Sequence, residues 1–225
     1  MPDFSDSWEM RHKGVSIIQQ EIENIRNEMQ KDQYMLQAQY AISILEAKAK
    51  IIDEQMSMKY NREIMRSVSG RVKTPESIYA KLMRKGLEPD LKTACEKLND
   101  LIGVRIVCLF LDDVYKIAEI LTEQQDIHLV RKKDYISKPK KNGYMSLHLI
   151  VDIPIYFDQN KSTKRVEIQI RTIAMDFWSV LDYQLLYKKD VSAAEKVGKE
   201  LKKYSEEIAD LDRKMQKLRN KIEKI

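Results

Sequence analysis

Five polar side chains of different chemistry fall on one face of a predicted β-hairpin. In the segment 166–172 (VEIQIRT) hydrophobic and polar residues alternate, so Glu167, Gln169 and Arg171 share the face opposite the hydrophobic one. Ser146 and His148 have the same two-residue spacing in the preceding strand. If the strand register aligns them, these groups form one patch suited to proton transfer and anion binding. An arbitrary amphipathic hairpin more often presents such a face to solvent.

A basic loop precedes this hairpin and favours a ligand-binding role for the polar face. Six of the residues from 131 to 141 are Lys or Arg, and one is acidic, Asp134. The loop ends in Asn142, Gly143 and Tyr144. Ammonium groups on a flexible loop can reach phosphate oxygens, and a tyrosine ring beside a glycine can stack on a base. The pattern therefore predicts contacts with a nucleotide.

A second basic cluster lies nearer the N-terminus. It contains Arg71, Lys73, Lys81, Arg84 and Lys85. Ser77, Lys81 and Lys85 follow one another at four-residue spacing, which places them on one face of a helix. Like charges in that arrangement cost a few tenths of a kcal/mol per pair unless an anion compensates them. The cluster is consistent with a polyphosphate site.

A bound triphosphate normally carries Mg²⁺, which prefers one or two carboxylate ligands. Asp100 stands directly before a hydrophobic segment, and Glu167 lies on the polar face of the hairpin. Both are candidate ligands. Spacing alone does not distinguish them from the other acidic residues, of which the chain has 35 in all.

The elements that must position these residues alternate between strands and helices. The segment 102–111 (IGVRIVCLFL) predicts a strand buried on both faces, and Asp112-Asp113 predicts the start and cap of a helix. Further along, the pattern predicts a strand at 127–131, a loop at 132–142, strands at 145–157 and 163–171 with a turn at 158–162, and a helix at 174–188. This order predicts an α+β fold, with a mixed sheet of about five strands flanked by helices.

Long helices are predicted at both ends of the chain. The segment 8–66 lacks proline and has helical hydrophobic spacing, which predicts one or two long helices. Near the C-terminus, steps of four and three connect Val197, Leu201, Tyr204, Ile208, Leu211, Met215, Leu218, Ile222 and Ile225. Such a heptad seam packs either within the chain or against another subunit, and the spacing does not decide between them.

Composition narrows the class of protein. The 225 residues include 43% hydrophobic and 33% charged residues, and the net charge of +5 is compatible with nucleotide or nucleic-acid ligands. A membrane span and a signal peptide are not expected, because no hydrophobic run is long enough. Cys95 and Cys108 lie in hydrophobic segments and are interpreted as free, buried thiols in a reducing cytosol. We therefore expect a cytoplasmic protein.

Four segments together resemble the synthetase domain of the RelA/SpoT family, and its small single-domain members most closely. They are GRVKTPESIYAKLMRK, NDLIGVRIVCLF, KDYISKPKKNGYMSLHLIV and VEIQIRTIAMDFW, in the order found in the family. The resemblance covers about residues 69–188. It implies a nucleotidyltransferase-like mixed sheet, and it divides the chain into an N-terminal helical region (1–68), an alarmone synthetase domain (69–190) and a C-terminal heptad helix (191–225).

The resemblance also implies a reaction: the β,γ-pyrophosphate of ATP moves to the ribose 3′-hydroxyl of GDP or GTP, giving the stringent-response alarmone (p)ppGpp and AMP. By position, Glu167 would be the general base and Asp100 the main Mg²⁺ ligand, with Glu167 also near the metal. The residues expected to bind ATP are Arg71, Lys73, Ser77, Lys81 and Arg105, with the two arginines also able to stack on adenine. The residues expected to bind the acceptor are Tyr144 (on guanine), Asn142, Lys138, Lys141, His148, Gln169 and Arg171.

Two departures from the family pattern concern the acceptor. Small synthetases usually have arginine after Gly-Tyr, where this chain has Met145, and Glu-His where it has Asp182-Tyr183. Met145 is expected to leave one positive group fewer near the acceptor. Tyr183 is expected to change the floor of the site.

Two other functions and an assembly remain open from the sequence. A related toxic enzyme would pyrophosphorylate the 3′ end of tRNA, with extra contacts from Lys48, Lys50, Lys59 and Arg62 or from 131–133. A non-catalytic RNA-binding protein would also explain the basic loops, but it gives no reason for Asp100 and Glu167 to lie among cations. The terminal helices predict a homo-oligomer, with a tetramer as the expected form.

Overall fold

The computed structural model describes residues 4–31, 33–157, 160–186 and 191–223. Seven helices are present in these ranges: α1 (Phe4–Lys31), α2 (Tyr34–Tyr60), α3 (Pro75–Arg84), α4 (Leu91–Lys97), α5 (Leu111–Thr122), α6 (Ile173–Leu186) and α7 (Val191–Ile222). The same ranges contain five strands: β1 (Met65–Val72), β2 (Ile102–Cys108), β3 (His128–Asp134), β4 (Leu147–Phe157) and β5 (Asn160–Thr172).

The strands form one mixed sheet in the order β1-β2-β5-β4-β3. The central β2 and β5 are parallel, and the other pairs are antiparallel. Helices α2 and α5 both pack on the sheet, and their buried residues form a common core with the alternate hydrophobic residues of β2, β4 and β5. The predicted α+β class and the five-stranded mixed sheet are confirmed.

The register of the sheet aligns the polar residues that the sequence singled out. Glu167 lies opposite Gly103 of β2, and Gln169 lies between Arg105 of β2 and His148 of β4. Because alternate side chains point to the same face, Glu167, Gln169 and Arg171 lie away from the hydrophobic core formed by their neighbours. The register therefore aligns His148 with these residues, as predicted. Ser146 precedes β4, and its buried hydroxyl donates to the backbone carbonyl of Ile170.

The sequence pattern does not predict strand β1, because it indicates helix up to residue 66. Helix α2 ends at Tyr60 because Asn61 adopts a left-handed conformation, with φ of 49°. The segment MRSVSGRV then runs antiparallel to β2 and places Arg71 opposite Gly103. The strand is at the edge of the sheet and is only half-buried, so its hydrophobic signal is weak.

Several predicted boundaries also move. The predicted Asp cap of α5 is wrong: Phe110 is the N-cap residue, and Asp112 and Asp113 lie in the first turn. Strand β3 continues to Asp134, into the predicted loop. Residues 158–159 of the turn predicted at 158–162 lie outside the described residues. The same holds for residues 187–188 of the helix predicted at 174–188. The hairpin itself is confirmed, with Phe157 paired to Asn160.

Helix α7 packs on its own chain and also leaves hydrophobic residues exposed. Leu201 is buried against the chain. Leu211, Met215, Leu218 and Ile222 of the predicted seam remain about half exposed. Ile225 lies outside the described residues. Intrachain packing therefore accounts for only part of the heptad pattern.

The sequence also made predictions about the two cysteines and about membrane-spanning helices. Both cysteines are free, and Cys108 is buried as expected, but Cys95 is exposed because its position on the short helix α4 faces outward. Within the described ranges, no helix is long and hydrophobic enough to cross a membrane.

Candidate active site

Glu167 is the carboxylate at the centre of the polar sheet face. His148 Nδ1 lies 3.1 Å from its Oε1, and Gln169 Nε2 donates to its Oε2 at 2.8 Å. Burial favours the protonated form, but the contacts with His148 and Gln169 outweigh that effect and lower the pKa of Glu167. Glu167 is therefore ionised at neutral pH and can accept a proton.

Tyr144, His148 and Glu167 form a continuous hydrogen-bond chain. A carboxylate only accepts hydrogen bonds, so His148 donates from Nδ1. Arg171 Nη2 donates to the phenol oxygen of Tyr144 at 3.1 Å, and the same oxygen lies 2.9 Å from His148 Nε2. Burial also raises the pKa of Tyr144, which keeps the phenol protonated. The hydrogen bond to Glu167 thus fixes a proton on Nδ1 of His148.

Asp100 lies immediately before β2 and binds two lysines. Lys73 Nζ and Lys81 Nζ lie 3.0 Å and 2.6 Å from the same oxygen, Oδ2. Burial opposes ionisation, but the two lysine hydrogen bonds prevail and lower the pKa of Asp100. The other oxygen, Oδ1, is buried and has no hydrogen-bond partner among the described residues.

The two carboxylates line the same pocket. It has a volume of about 120 Å³, and Asp100, Glu167, Arg71 and Arg105 are among its lining residues. The negative charge of Asp100 raises the pKa of Glu167, as expected for carboxylates within electrostatic reach. Across the described ranges no cluster of three potential ligands occurs. Two carboxylates with one open buried oxygen instead fit a Mg²⁺ ion that also takes phosphate ligands.

Two arginines, Arg105 and Arg171, extend the positive surface at this pocket. Arg105 and Arg171 each direct Nη1 to Asp176 Oδ1 at 3.4 Å, so one carboxylate of α6 orients both guanidinium groups. Arg171 is almost fully buried and also donates to Gln169 Oε1. The Nε atoms of Arg105 and Arg171 are buried without a partner in the described part of the chain. Oriented, incompletely satisfied guanidinium groups suit phosphate binding.

A second pocket of about 350 Å³ adjoins the first. The two share Arg71, Arg105 and Gln169, and the second pocket continues past Tyr144 to Tyr183 on α6. The two pockets therefore adjoin along a border that contains two arginines. Tyr183 lines the site, as the departure from the family pattern suggested.

The loop between β3 and β4, residues 135–146, contributes a lysine that the sequence reading missed. Lys140 Nζ lies 4.7 Å from the ring centroid of Tyr135 and 4.6 Å from that of Tyr144. Burial lowers the pKa of Lys140, while the charge of Glu167 opposes this shift. In a run containing three nearby lysines, composition does not reveal which one turns inward. Contact with two tyrosine rings distinguishes Lys140 in the structure.

Three predicted acceptor-binding residues, Asn142, Lys138 and Lys141, line neither pocket of the site. Asn142 accepts from the backbone N–H of Tyr144 and donates weakly to Asp182 Oδ2, so it shapes the loop. Lys138 is exposed, and Lys141 lines a cavity on the α7 side of the loop. Their roles toward the acceptor stay predictions.

Ser77 and Met145 also occupy informative positions. Ser77 is exposed in the first turn of α3, where its backbone N–H donates to Thr74 Oγ1. It lies one turn before Lys81, and its role with ATP stays a prediction. Met145 is buried and lines the cavity beside α7. Met145 does not line the pocket that contains Tyr144, and its effect on the acceptor stays a prediction.

Comparisons with known proteins agree with this geometry. A family model described as "Region found in RelA / SpoT proteins" matches residues 70–192. The chain is 38% identical to the GTP pyrophosphokinase YwaC of Bacillus subtilis over 189 residues, covering 84% of this chain and 90% of that protein. It is 32% identical to YjbM of the same organism over 197 residues, covering 88% and 92%.

Solved structures show the same similarity. Small alarmone synthetase 1 from Bacillus subtilis, bound to its product pppGpp, superposes with a TM-score of 0.77 at 32% identity, covering 86% of this chain and 98% of that one. Small alarmone synthetase 2 from the same organism gives a TM-score of 0.74 at 37% identity, covering 84% and 98%.

Proposed function

This chain belongs to the RelA/SpoT family. We propose that it synthesises (p)ppGpp and that the residues of the two adjoining pockets carry out the reaction. It is a GTP pyrophosphokinase: the β,γ-pyrophosphate of ATP is transferred to the 3′-hydroxyl of GDP or GTP, and AMP is released. The observation that carries the mechanism is the ionised Glu167, which shares a pocket with Asp100 and two arginines.

Glu167 accepts the proton of the ribose 3′-hydroxyl as that oxygen attacks the β-phosphorus of ATP. The new 3′-O–Pβ bond forms while the bond from Pβ to the oxygen bridging Pα and Pβ breaks, and that oxygen leaves with AMP. His148 and Gln169 hold the carboxylate in position through their hydrogen bonds. The lowered pKa makes Glu167 a weak base, so positioning matters more than basicity.

Cations around the pocket stabilise the migrating phosphates. Arg71 and Arg105 line the pocket, and Lys73 and Lys81 stand at its edge on Asp100. When Mg²⁺ is bound, it neutralises phosphate charge, and Asp100 with Glu167 would hold it. Lysines that now pair with Asp100 are close enough to exchange that contact for phosphate oxygens.

The acceptor occupies the side of the site that contains Tyr144 and Arg171. Tyr144 offers its ring to guanine, while Lys140, which lies against that ring, supplies a positive charge for the acceptor phosphates. We place the enzyme in the cytoplasm, where ATP and guanine nucleotides are available.

The tRNA alternative has less support in the structure. Lys48 is engaged by Asp126 and Gln124, and Arg62 binds Asp113 through two hydrogen bonds. These two residues of the suggested tRNA surface are therefore already neutralised. Residues 131–133 lie on the edge strand β3 and are more accessible.

A homo-oligomer is the assembly that the exposed hydrophobic residues support. Leu211, Met215, Leu218 and Ile222 of α7 form a half-exposed stripe, and Phe177 and Val180 of α6 are exposed as well. A stripe at heptad spacing is typical of helix–helix contacts. A second copy of the chain can cover it, and a tetramer is the form that we propose.

The products formed with each acceptor test the reaction. The purified protein is incubated with Mg²⁺ and γ-labelled ATP, and with GDP, GTP or deacylated tRNA in separate reactions. We expect label in the guanosine product together with an equal amount of AMP. Formation of ADP, or of labelled tRNA alone, would overturn the assignment.

A further inference from the structure

Helix α7 lies directly against the glycine that precedes Tyr144. Ser205 Oγ donates to the carbonyl oxygen of Gly143 at 2.5 Å, and Ser205 is buried. Gly143 has φ of +95°, and a Cβ atom there would lie 2.8 Å from Cβ of Ser205 and 3.2 Å from Cα of Lys202. Helix α7 therefore packs closely on the loop, and the glycine is required for both its conformation and its lack of a side chain.

A second contact joins α7 to the end of β5. Thr172 Oγ1 donates to Asp212 Oδ2 at 2.6 Å, in a buried position next to Arg171. The same hydroxyl accepts from the backbone N–H of Met175 at the start of α6. Asp212 thus holds the junction at which β5 ends and the helix carrying Asp176 begins.

A third contact fixes α7 to α6. Trp178 Nε1 donates to the backbone carbonyl of Leu201 at 2.8 Å. Residues 201, 205 and 212 are separated by four and seven positions, so the three contacts occur on one face of α7. That face is separate from the exposed stripe proposed for oligomerisation.

We propose that α7 positions the acceptor side of the active site through Ser205 and Asp212. Ser205 holds the loop at the residue before Tyr144, and Asp212 holds the strand end at the residue after Arg171. The ATP side is built differently, since Lys73 and Lys81 bind Asp100. The inference rests on the proposed function, because it assigns Tyr144 and Arg171 to the acceptor.

Substitution of Ser205 by Ala separates positioning from general stability. Loss of one buried hydrogen bond is expected to raise the KM for GDP about 3- to 10-fold. The KM for ATP and kcat at saturating GDP should not change. Glu207→Ala is the matched control, because Glu207 is exposed on α7 and pairs only loosely with Lys203, and it should leave all three constants unchanged.

Two substitutions of Asp212 test whether its hydrogen bond to Thr172 is what matters for GDP binding. Asp212→Asn keeps a side-chain oxygen that can accept from Thr172, so it should retain the GDP KM of the wild type within about twofold. Asp212→Leu removes the acceptor and should raise the GDP KM. Equal rises in the KM for GDP and ATP, or a fall in melting temperature with both constants unchanged, would overturn the inference.

Amide hydrogen exchange of residues 140–146 tests the contact without reference to activity. Exchange should be faster in Ser205→Ala than in the wild type or in Glu207→Ala. Unchanged exchange would overturn the inference even if the enzyme is active. If the wild type made no guanosine product, the proposed function would fail, while faster exchange would still establish α7 as the support of this loop.

Discussion

At the scale of single residues, Glu167 and Asp100 share a pocket but have different neighbours. Glu167 is held by an imidazole and an amide, which fix its direction. Asp100 is held by two lysines on one oxygen, and its second oxygen is open. The first environment suits a positioned proton acceptor, and the second suits a site that exchanges cations with a magnesium nucleotide.

Tyr144 is the residue whose replacement should affect the acceptor most selectively. Tyr144→Ala removes the ring, and base stacking contributes roughly 1–3 kcal/mol, so the KM for GDP should rise about 5- to 150-fold. Tyr144→Phe keeps the ring but loses the hydroxyl that contacts His148, so it should lower kcat more than it raises that KM. Steady-state kinetics with ATP and GDP varied separately measures both. An unchanged GDP KM in the alanine variant would count against stacking.

The sequence predicts this site well where strand alternation decides direction. Glu167, Gln169, Arg171 and His148 come together because hydrophobic residues alternate with them and bury the opposite face. Met145, one residue from Tyr144, lines the cavity beside α7. The role of Lys140 is not encoded in local spacing, because its contacts come from a loop folded over Tyr135 and Tyr144.

At the scale of elements, the sequence predicts helices and strands that have a long hydrophobic repeat. It does not predict the edge strand β1 or the residue that caps α5. The sheet hairpin and most helices follow their patterns, whereas β1 was missed because an edge strand has only one paired side and needs little hydrophobic content. Asp112 looked like a helix cap, but it instead binds Arg219 of α7 and Lys116. No sequence rule reveals a partner 107 residues away.

The Asp112–Arg219 pair should make stability depend on acid pH. Burial opposes ionisation of Asp112, but the hydrogen bonds from Arg219 and Lys116 lower its pKa to about 2. Because the folded pKa is below the ordinary value of 3.8, the stabilisation is complete above that value and is lost as pH falls toward 2.

Asp112→Asn should therefore destabilise the protein at neutral pH by about 1 kcal/mol, a figure reduced because Asp112 is partly exposed to solvent. This loss of stability lowers the melting temperature by about 2–4 °C. Thermal melts between pH 7 and 2 measure this, and the difference between the two proteins should shrink as pH falls below 4. Asp210→Asn on the exposed side of α7 is the control. A constant difference across that range would show that the charge of Asp112 is not responsible.

Two glycines should respond in opposite directions to alanine. A Cβ atom on Gly70 of β1 would overlap the side chain of Ile42 on α2, so Gly70→Ala should cost about 1–3 kcal/mol through overpacking. Gly198 lies inside α7 with no atom within 4 Å of a new Cβ, so Gly198→Ala should stabilise the protein by about 0.5–1 kcal/mol. Chemical denaturation measures both. A neutral Gly70→Ala would show that α2 does not pack as closely on β1 as described.

At the scale of the whole molecule, one sheet connects the two halves of the site, and helices at both ends of the chain support it. Helix α2 packs on the hydrophobic face. Helix α7 closes the acceptor side through Ser205 and Asp212 and leaves a hydrophobic stripe exposed. Assembly and acceptor binding can therefore involve the same helix through different faces.

Assembly should be visible as a mass several times that of the chain, which is 26.5 kDa. Leu211→Glu combined with Leu218→Glu places charges on residues that are 52% and 53% exposed, so it should dissociate the oligomer without disturbing the core. Lys217→Glu, at an exposed neighbouring position, is the control for added negative charge. Light scattering after size exclusion measures the mass. A monomeric wild type would refute the proposed interface.

Single-turnover transfer by Glu167→Gln is the most direct measurement of the proposed chemistry. Glutamine keeps the shape and a hydrogen-bonding oxygen but is not a base, so calorimetric binding of Mg-ATP should remain within a few-fold of the wild type. Transfer of the labelled pyrophosphate to GDP should fall by at least about 100-fold, the usual contribution of a general base. Transfer at the wild-type rate by this variant, with Mg-ATP bound, would contradict the role of Glu167.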